Sequence, residues 1–253
     1  MKYKLTIKRY QIQNSVLKPD FVIGSGIQGR EQSKLKIPKN KTYVSIPSLL
    51  VAWELGNVIL PYKYIVYVDE YALFSPDKVL LNTLQSVSSS TDFFKSMSQI
   101  FEKCEDLLNV PVIISASDKG LYKNNPFDGR TIIYGKTQEL IQHAELIIGH
   151  KTSALSQAII EKKPTLIILD KEFIDIKNKQ IKFLAKYFFK QGAIWSHELN
   201  KINLDVIKNI DFKHLTKIEH QYYKEPDIDG EFFENLNNYL LSNFADSTPK
   251  CDK

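Results

Sequence analysis

Residues 131–153 read TIIYGKTQELIQHAELIIGHKTS, a run in which strand, junction, helix, strand and junction succeed one another. Thr131 to Tyr134 predicts a strand, 137–144 a helix, and Leu146 to Ile148 a second strand. Past Gly149-His150-Lys151-Thr152-Ser153 the spacing predicts a helix over 153–161, then a buried strand from Thr165 to Leu169. Strands and helices that alternate across loops of a few residues imply right-handed crossovers and a parallel sheet. The fold class is therefore α/β, with helices flanking a Rossmann-like sheet.

Upstream the pattern continues. Tyr64 to Val68 is a buried strand ending in the acidic pair Asp69-Glu70. Phe94, Met97, Ile100, Phe101, Cys104, Leu107 and Leu108 recur at helical spacing over 91–108. Residues 110–115 form a β-branched strand and 117–129 a loop rich in Gly, Asn, Pro and Asp. Downstream, 173–191 predicts a helix, 193–195 a short strand and 232–244 a further helix.

The first sixty residues read differently. Lys2 to Tyr10 alternates as a strand, Asp20 to Ile23 is a short apolar run, 30–41 reads as a polar loop and 42–46 as a strand. Gly24-Ser25-Gly26-Ile27-Gln28-Gly29 matches the dinucleotide-binding glycine pattern letter for letter. That pattern carries its meaning only where it opens a helix. The adjoining residues Arg30-Glu31-Gln32-Ser33-Lys34 have no apolar periodicity, so the glycines are expected to make a flexible turn and NAD binding is rejected. Residues 1–60 are thus expected to be a remnant or the end of an N-terminal domain, 61–245 a Rossmann-like domain, and 246–253 a polar tail.

Composition narrows the function. The formal charge is +5, with lysines spread over the whole chain and Arg9, Arg30 and Arg130 as the arginines. Few guanidinium forks argue against nucleic acid as a partner, while the excess of lysine leaves a lean towards an anionic membrane face. Cys104 and Cys251 are the cysteines, too few for a disulfide framework or a zinc site, as suits a reducing compartment. No apolar block resembles a signal peptide, so a cytoplasmic protein is expected. The acidic residues do not cluster like ligands, so no metal is expected.

Two junctions carry the candidate chemistry. Gly135-Lys136-Thr137 and Gly149-His150-Lys151-Thr152-Ser153 each place a glycine, a lysine and a capping hydroxyl at a predicted helix start. Free amides and hydroxyls there suit a phosphate, and both junctions are expected to face one crevice at the carboxyl edge of the sheet. For each, an ordinary cap with a solvated lysine is the alternative.

The order of motifs resembles the donor-binding half of GT-B glycosyltransferases that build bacterial surface polysaccharides, including the sialyl- and Kdo-transferase-like groups using CMP-activated sugars. The carrying segments are Tyr64-Ile65-Val66-Tyr67-Val68-Asp69-Glu70-Tyr71, Ser75-Pro76-Asp77, Val110-Pro111-Val112-Ile113-Ile114, Phe127-Asp128-Gly129-Arg130, Gly135-Lys136-Thr137-Gln138-Glu139-Leu140, His150-Lys151-Thr152-Ser153 and Lys163-Pro164. The resemblance implies a donor phosphate at Thr152 and Ser153, with Gly135, Lys136, Thr137, His150 and Lys151 around the nucleotide. It implies donor contacts from Asp69, Glu70, Ser117, Lys119 and Arg130, and no cofactor beyond the nucleotide-sugar. The implied partners are a glycan acceptor, a chain supplying the rest of the acceptor half, and the inner membrane surface peripherally. Ser75 and Ser117-Asp118 stand where the family carries histidines, and serine cannot shuttle a proton near neutral pH. A non-catalytic relative that binds a nucleotide, a sugar or a protein is therefore the second reading, and an unrelated flavodoxin- or epimerase-like protein the third.

Overall fold

The computed structural model describes residues 21–34, 42–48, 51, 56–71, 90–117, 121–173, 175–228, 230 and 232–244. The strand expected over 2–10, the segment Ser75 to Asp77, Lys119 and the tail 246–253 lie outside the described residues. The chain divides into two compact units, one of Met1–Ala52 with Glu219–Lys253 and one of Trp53–Ile218. Among the described residues no helix is long and apolar enough to cross a membrane.

In the first unit, β1 (Phe21–Gly24) leads into α1 (Gly26–Lys34) and pairs in parallel with β2 (Thr42–Ser45). The glycine pattern does open a helix, which corrects the expected loop and removes the ground on which NAD binding was rejected. Tertiary contacts hold this helix where its own apolar pattern is too weak to do so. A Cβ on Gly24 would lie 2.6 Å from the Tyr43 hydroxyl, and one on Gly29 3.0 Å from it. Gly26, at φ +67°, lets the helix start pass within contact of the Gln221–Tyr222 backbone. Arg30 then pairs with Glu225 at 2.6 Å, and the Ser45 hydroxyl donates to the same carboxylate at 2.5 Å.

The second unit holds a six-stranded sheet made of β3 (Ile65–Val68), β4 (Val112–Ala116), β5 (Ile132–Tyr134), β6 (Leu146–Gly149), β7 (Thr165–Leu169) and β8 (Ile194–Trp195). Its order is β5-β4-β3-β6-β7-β8, with every pair parallel. The chain enters at the centre, steps out to β5, returns to β6 beside β3 and steps out the other way. This is the doubly wound order, with its reversal between β3 and β6. The strands β3, β4, β6 and β7 are buried along their whole length, whereas β5 and β8 at the edges are half-buried. Burial on both faces explains their unbroken Val, Ile and Leu content.

The connections are α2 (Ser90–Leu108), α3 (Thr137–His143), α4 (Leu155–Ile160) and α5 (Asp175–Phe188). Beyond β8 come a 3₁₀ turn (Leu199–Lys201), α6 (Leu204–Lys208), α7 (Phe212–Tyr222) and α8 (Phe232–Phe244). Of the stripe expected on α2, Met97, Ile100, Phe101 and Cys104 are buried, but its first buried ring is Phe93, with Phe94 and Leu108 only partly buried and Leu107 exposed. Phe127 anchors the loop before β5, fully buried among Tyr67, Phe94, Phe101 and Tyr122.

Gly26→Ala forces a side chain into the left-handed region and against backbone, so a stability loss of at least about 2 kcal/mol is expected in urea unfolding. Gly192→Ala, whose Cβ meets nothing within 4 Å, is expected to change stability by less than about 0.5 kcal/mol. Equal effects at the two positions would show that close packing at Gly26 does not hold α1.

Candidate functional site

Open α/β sheets bind ligands beyond the carboxyl ends of their strands where the order reverses. Here that point lies between Asp69-Glu70, leaving β3, and His150-Lys151, leaving β6.

Asp69 is committed to the fold. Its Oδ1 accepts the Tyr71 amide at 3.1 Å and its Oδ2 accepts the Tyr122 hydroxyl at 2.7 Å. Burial, then the neighbouring Asp69 charge, push the Tyr122 phenol far up, so it stays a donor. Glu70 faces the switch point directly, pairing with Lys177 of α5 at 3.0 Å and receiving the Lys151 amide at 3.4 Å. The Glu70 and Lys177 side chains are 14% and 15% exposed, so water screens the pair only partly. Lys177 also lies 3.6 Å from the Phe173 ring centre. A carboxylate balanced by an ammonium thus occupies the mouth of the reversal. Lys177 was not legible as a site residue, because it comes from the helix after β7, 107 residues along the chain from Glu70.

His150 is 0% exposed and boxed by Tyr67, Phe93 and Phe173. Its Nδ1 lies 2.8 Å from the Ile168 carbonyl oxygen, which only accepts, so Nδ1 carries the proton. Nε2 therefore accepts the Tyr67 hydroxyl, 3.2 Å away. Burial, and then the Lys177 charge, lower its pKa to about 4. The imidazole is neutral and enclosed, a brace between β3, β6 and β7.

The rest of the β6 junction is tighter than its spacing suggested. The helix starts at Leu155, not Ser153, and its cap residue Ala154 makes no side-chain cap bond. The amides of Leu155, Ser156 and Gln157 already bond to the carbonyls of Thr152, Ser153 and Ala154. A turn of i,i+3 bonds has absorbed the first three amides of α4. The Thr152 hydroxyl accepts the Ala154 amide at 3.3 Å, and the Lys151 ammonium donates to Gln180 at 2.7 Å. Ser153 is exposed.

The β5 junction sits elsewhere on the edge. Gly135 adopts φ +66°, Lys136 pairs with Glu139 at 2.9 Å, and the Thr137 hydroxyl accepts that of Ser115 at 2.8 Å instead of capping α3. The strands β4 and β3 separate the two junctions, roughly 14 Å at the usual strand spacing. They share a sheet edge but are not neighbours, because the chain reverses direction between them. One phosphate cannot touch both, whereas an extended ligand spans that length.

Arg130 turns inward. It forks onto Glu105 at 3.1 and 2.7 Å and stacks over Phe101. Burial opposes the charge on Glu105, but the Arg130 bonds and the Val112 amide outweigh it and hold the carboxyl below its ordinary range. Ser117 is half-buried at the end of β4. Asp170, at the end of β7, is buried with an Oδ2 that meets no donor among the described residues. A cavity of about 620 Å³ opens beside β3 and β4, with Tyr71, Phe94, Tyr122 and Pro126 in its walls and Lys95 and Lys123 among its lining residues. The chain has one Asp-x-Asp spacing, Asp227-Ile228-Asp229, of which Asp227 is exposed and Asp229 lies outside the described residues.

The lowered His150 pKa has a definite sign. The unfolded state takes up the proton near pH 6.5 and the native state near 4, so this contribution is intact above 6.5 and is lost as the pH falls between them. About 3 kcal/mol is expected to be lost across that window. His150→Phe is expected to flatten that slope of urea stability against pH, and an unchanged slope would show that His150 is not the titrating group.

No family model matches the chain, and no characterised protein matches it by sequence. Among solved structures, a variant of the wall teichoic acid polymerase TagF superposes with a TM-score of 0.51 at 11% identity, over 90% of this chain and 59% of its own. SnogD, a glycosyltransferase from Streptomyces nogalater, gives 0.41 at 12% over 84% and 60%. Spinosyn forosaminyltransferase SpnP gives 0.32 at 15% over 79% and 47%. The chain spans about half to three-fifths of the length of these structures. Its fold is similar to that of GT-B glycosyltransferases.

Proposed function

We propose that the chain binds a nucleotide-activated sugar and serves a glycosyltransferase, with a CMP-sugar as donor and a surface glycan as acceptor. The observation that carries the reading is the strand-order reversal between β3 and β6, where a hydroxyl-bearing junction and the Lys177 ammonium meet. The CMP form rests on motif order alone. Thr152 and Ser153 would hold the donor phosphate through their hydroxyls, and Lys177 would leave Glu70 to face the new anion. Lys136 and Thr137 would lie towards the far end of the nucleotide. Transfer is displacement at the anomeric carbon, with the leaving phosphate's charge stabilised by these fixed donors.

One observation favours a second reading, in which the relative has lost catalysis and the nucleotide. The Glu70 carboxylate already holds the Lys151 amide where a phosphate would compete. Two like charges at one mouth repel, so Glu70 either moves aside or keeps the site closed.

Calorimetric titration of CMP, UDP and their sugars separates the two. Micromolar nucleotide binding is expected, weakened at least about tenfold by Thr152→Ala with Ser153→Ala and tightened by Glu70→Gln. A folded protein in which neither wild type nor Glu70→Gln binds any nucleotide sinks the transferase reading and leaves the second.

A further inference from the structure

The strands β4 and β3 separate the two junctions at the carboxyl edge, yet the helices that leave them are tied together behind it. Gly56 lies in the segment that leads into β3, where Ile59 and Leu60 pack partly buried against the core. Side chains of α3 hold both backbone polar groups of this glycine. Its amide donates to Gln142 Oε1 at 2.7 Å. Its carbonyl lies 3.0 Å from His143 Nε2 and only accepts, so that nitrogen carries the proton. The Gln142 side chain donates onward to Glu161 Oε1 at 3.2 Å, and Gln157 of α4 donates to the same oxygen at 2.7 Å. Gln142 and Gln157 are both buried. A relay from Gly56 through Gln142 and Glu161 to Gln157 thus joins the segment before β3 to both junction helices.

The close approach needs glycine. A Cβ on Gly56 would collide with Glu139 Cγ and stand 3.1 Å from the Gln142 oxygen. Glu139 is also the partner of Lys136, so moving it disturbs the β5 junction directly. Apolar packing alone lets two helices slide, whereas buried amides that share one carboxylate lose their bonds when either helix shifts. We infer that Gly56 and Gln142 are positioning residues that set the separation of the β5 and β6 junctions, and with it the span that one extended ligand bridges. What fills the span rests on the nucleotide reading, whereas the tie between the helices does not.

Hydrogen exchange and calorimetry on the full chain test it. The Leu140 amide, bonded to the Lys136 carbonyl at 3.0 Å, reports the β5 junction, and the amides of Leu155, Ser156 and Gln157 report the β6 junction. Gln142→Glu keeps the acceptor for Gly56 but sets two carboxylates against each other. It is expected to speed exchange at both reporters and to weaken nucleotide binding, each about tenfold. Gln142→Glu with Glu161→Gln exchanges donor and acceptor, so every bond of the relay can re-form. Both effects are then expected to return to within about threefold of wild type, which a loss of bulk stability alone does not predict. Gly56→Ala is expected to act like the single variant, and Gly192→Ala to change neither reporter. Exchange that stays slow at 155–157 in Gln142→Glu, or a double variant no better than the single one, would overturn the proposal. So would a nucleotide affinity equal in all variants. If the wild type binds no nucleotide, the transferase reading fails by itself, and the exchange pattern still decides whether the helices are coupled.

Discussion

Burial of β3 on both faces, hydrogen-bonded to β4 on one side and β6 on the other, is the constraint on which the second unit depends. A strand so placed must satisfy every backbone group within the sheet and fill both layers with apolar side chains. Tyr64, Tyr67 and the residues between them do so at essentially zero exposure. Because β3 is central and first, the chain runs outward one way and then the other. That route brings the ends of β3 and β6 together, and with them Glu70 and the Lys151 loop. The reactive-looking edge is a by-product of topology.

The same constraint explains why a polar brace is buried in the sheet where it is. Tyr67 points into the layer beneath α2, and its hydroxyl needs an acceptor that water cannot supply. His150 provides it through Nε2 and donates its Nδ1–H to the β7 backbone carbonyl of Ile168. Three neighbouring strands are thereby tied by one neutral network, which fixes register more than it adds net stability. Its aromatic surroundings, Phe93 and Phe173, extend to Lys177, so the core brace and the Glu70 pair meet in one cluster.

Charge at the two edges of the sheet is paired. Glu70 with Lys177 and Glu139 with Lys136 at the carboxyl edge, and Glu105 with Arg130 at the amino edge, are each matched within hydrogen-bond distance. Only the first lies at the reversal and is sheltered from water, so only there does the exchange of one anion for another alter much free energy.

Sequence alone determined the parallel α/β class, the strands from 64 to 169 and the helix carrying Phe93 to Cys104, because periodicity and β-branched runs are local consequences of burial. It also marked both glycine–lysine junctions. Tertiary structure alone decided what those letters do. His150 became a brace because Tyr67 stands opposite it, 83 residues away in the chain. Arg130 turned inward because Glu105 waits on α2, and the first three amides of α4 are taken up by a tight turn. The glycines at 24–29 open a helix for want of space beside Tyr43 and the 221–222 backbone, contacts that no local pattern encodes. Local spacing reports which face is apolar, but which polar group meets which is settled by strand order, a long-range property.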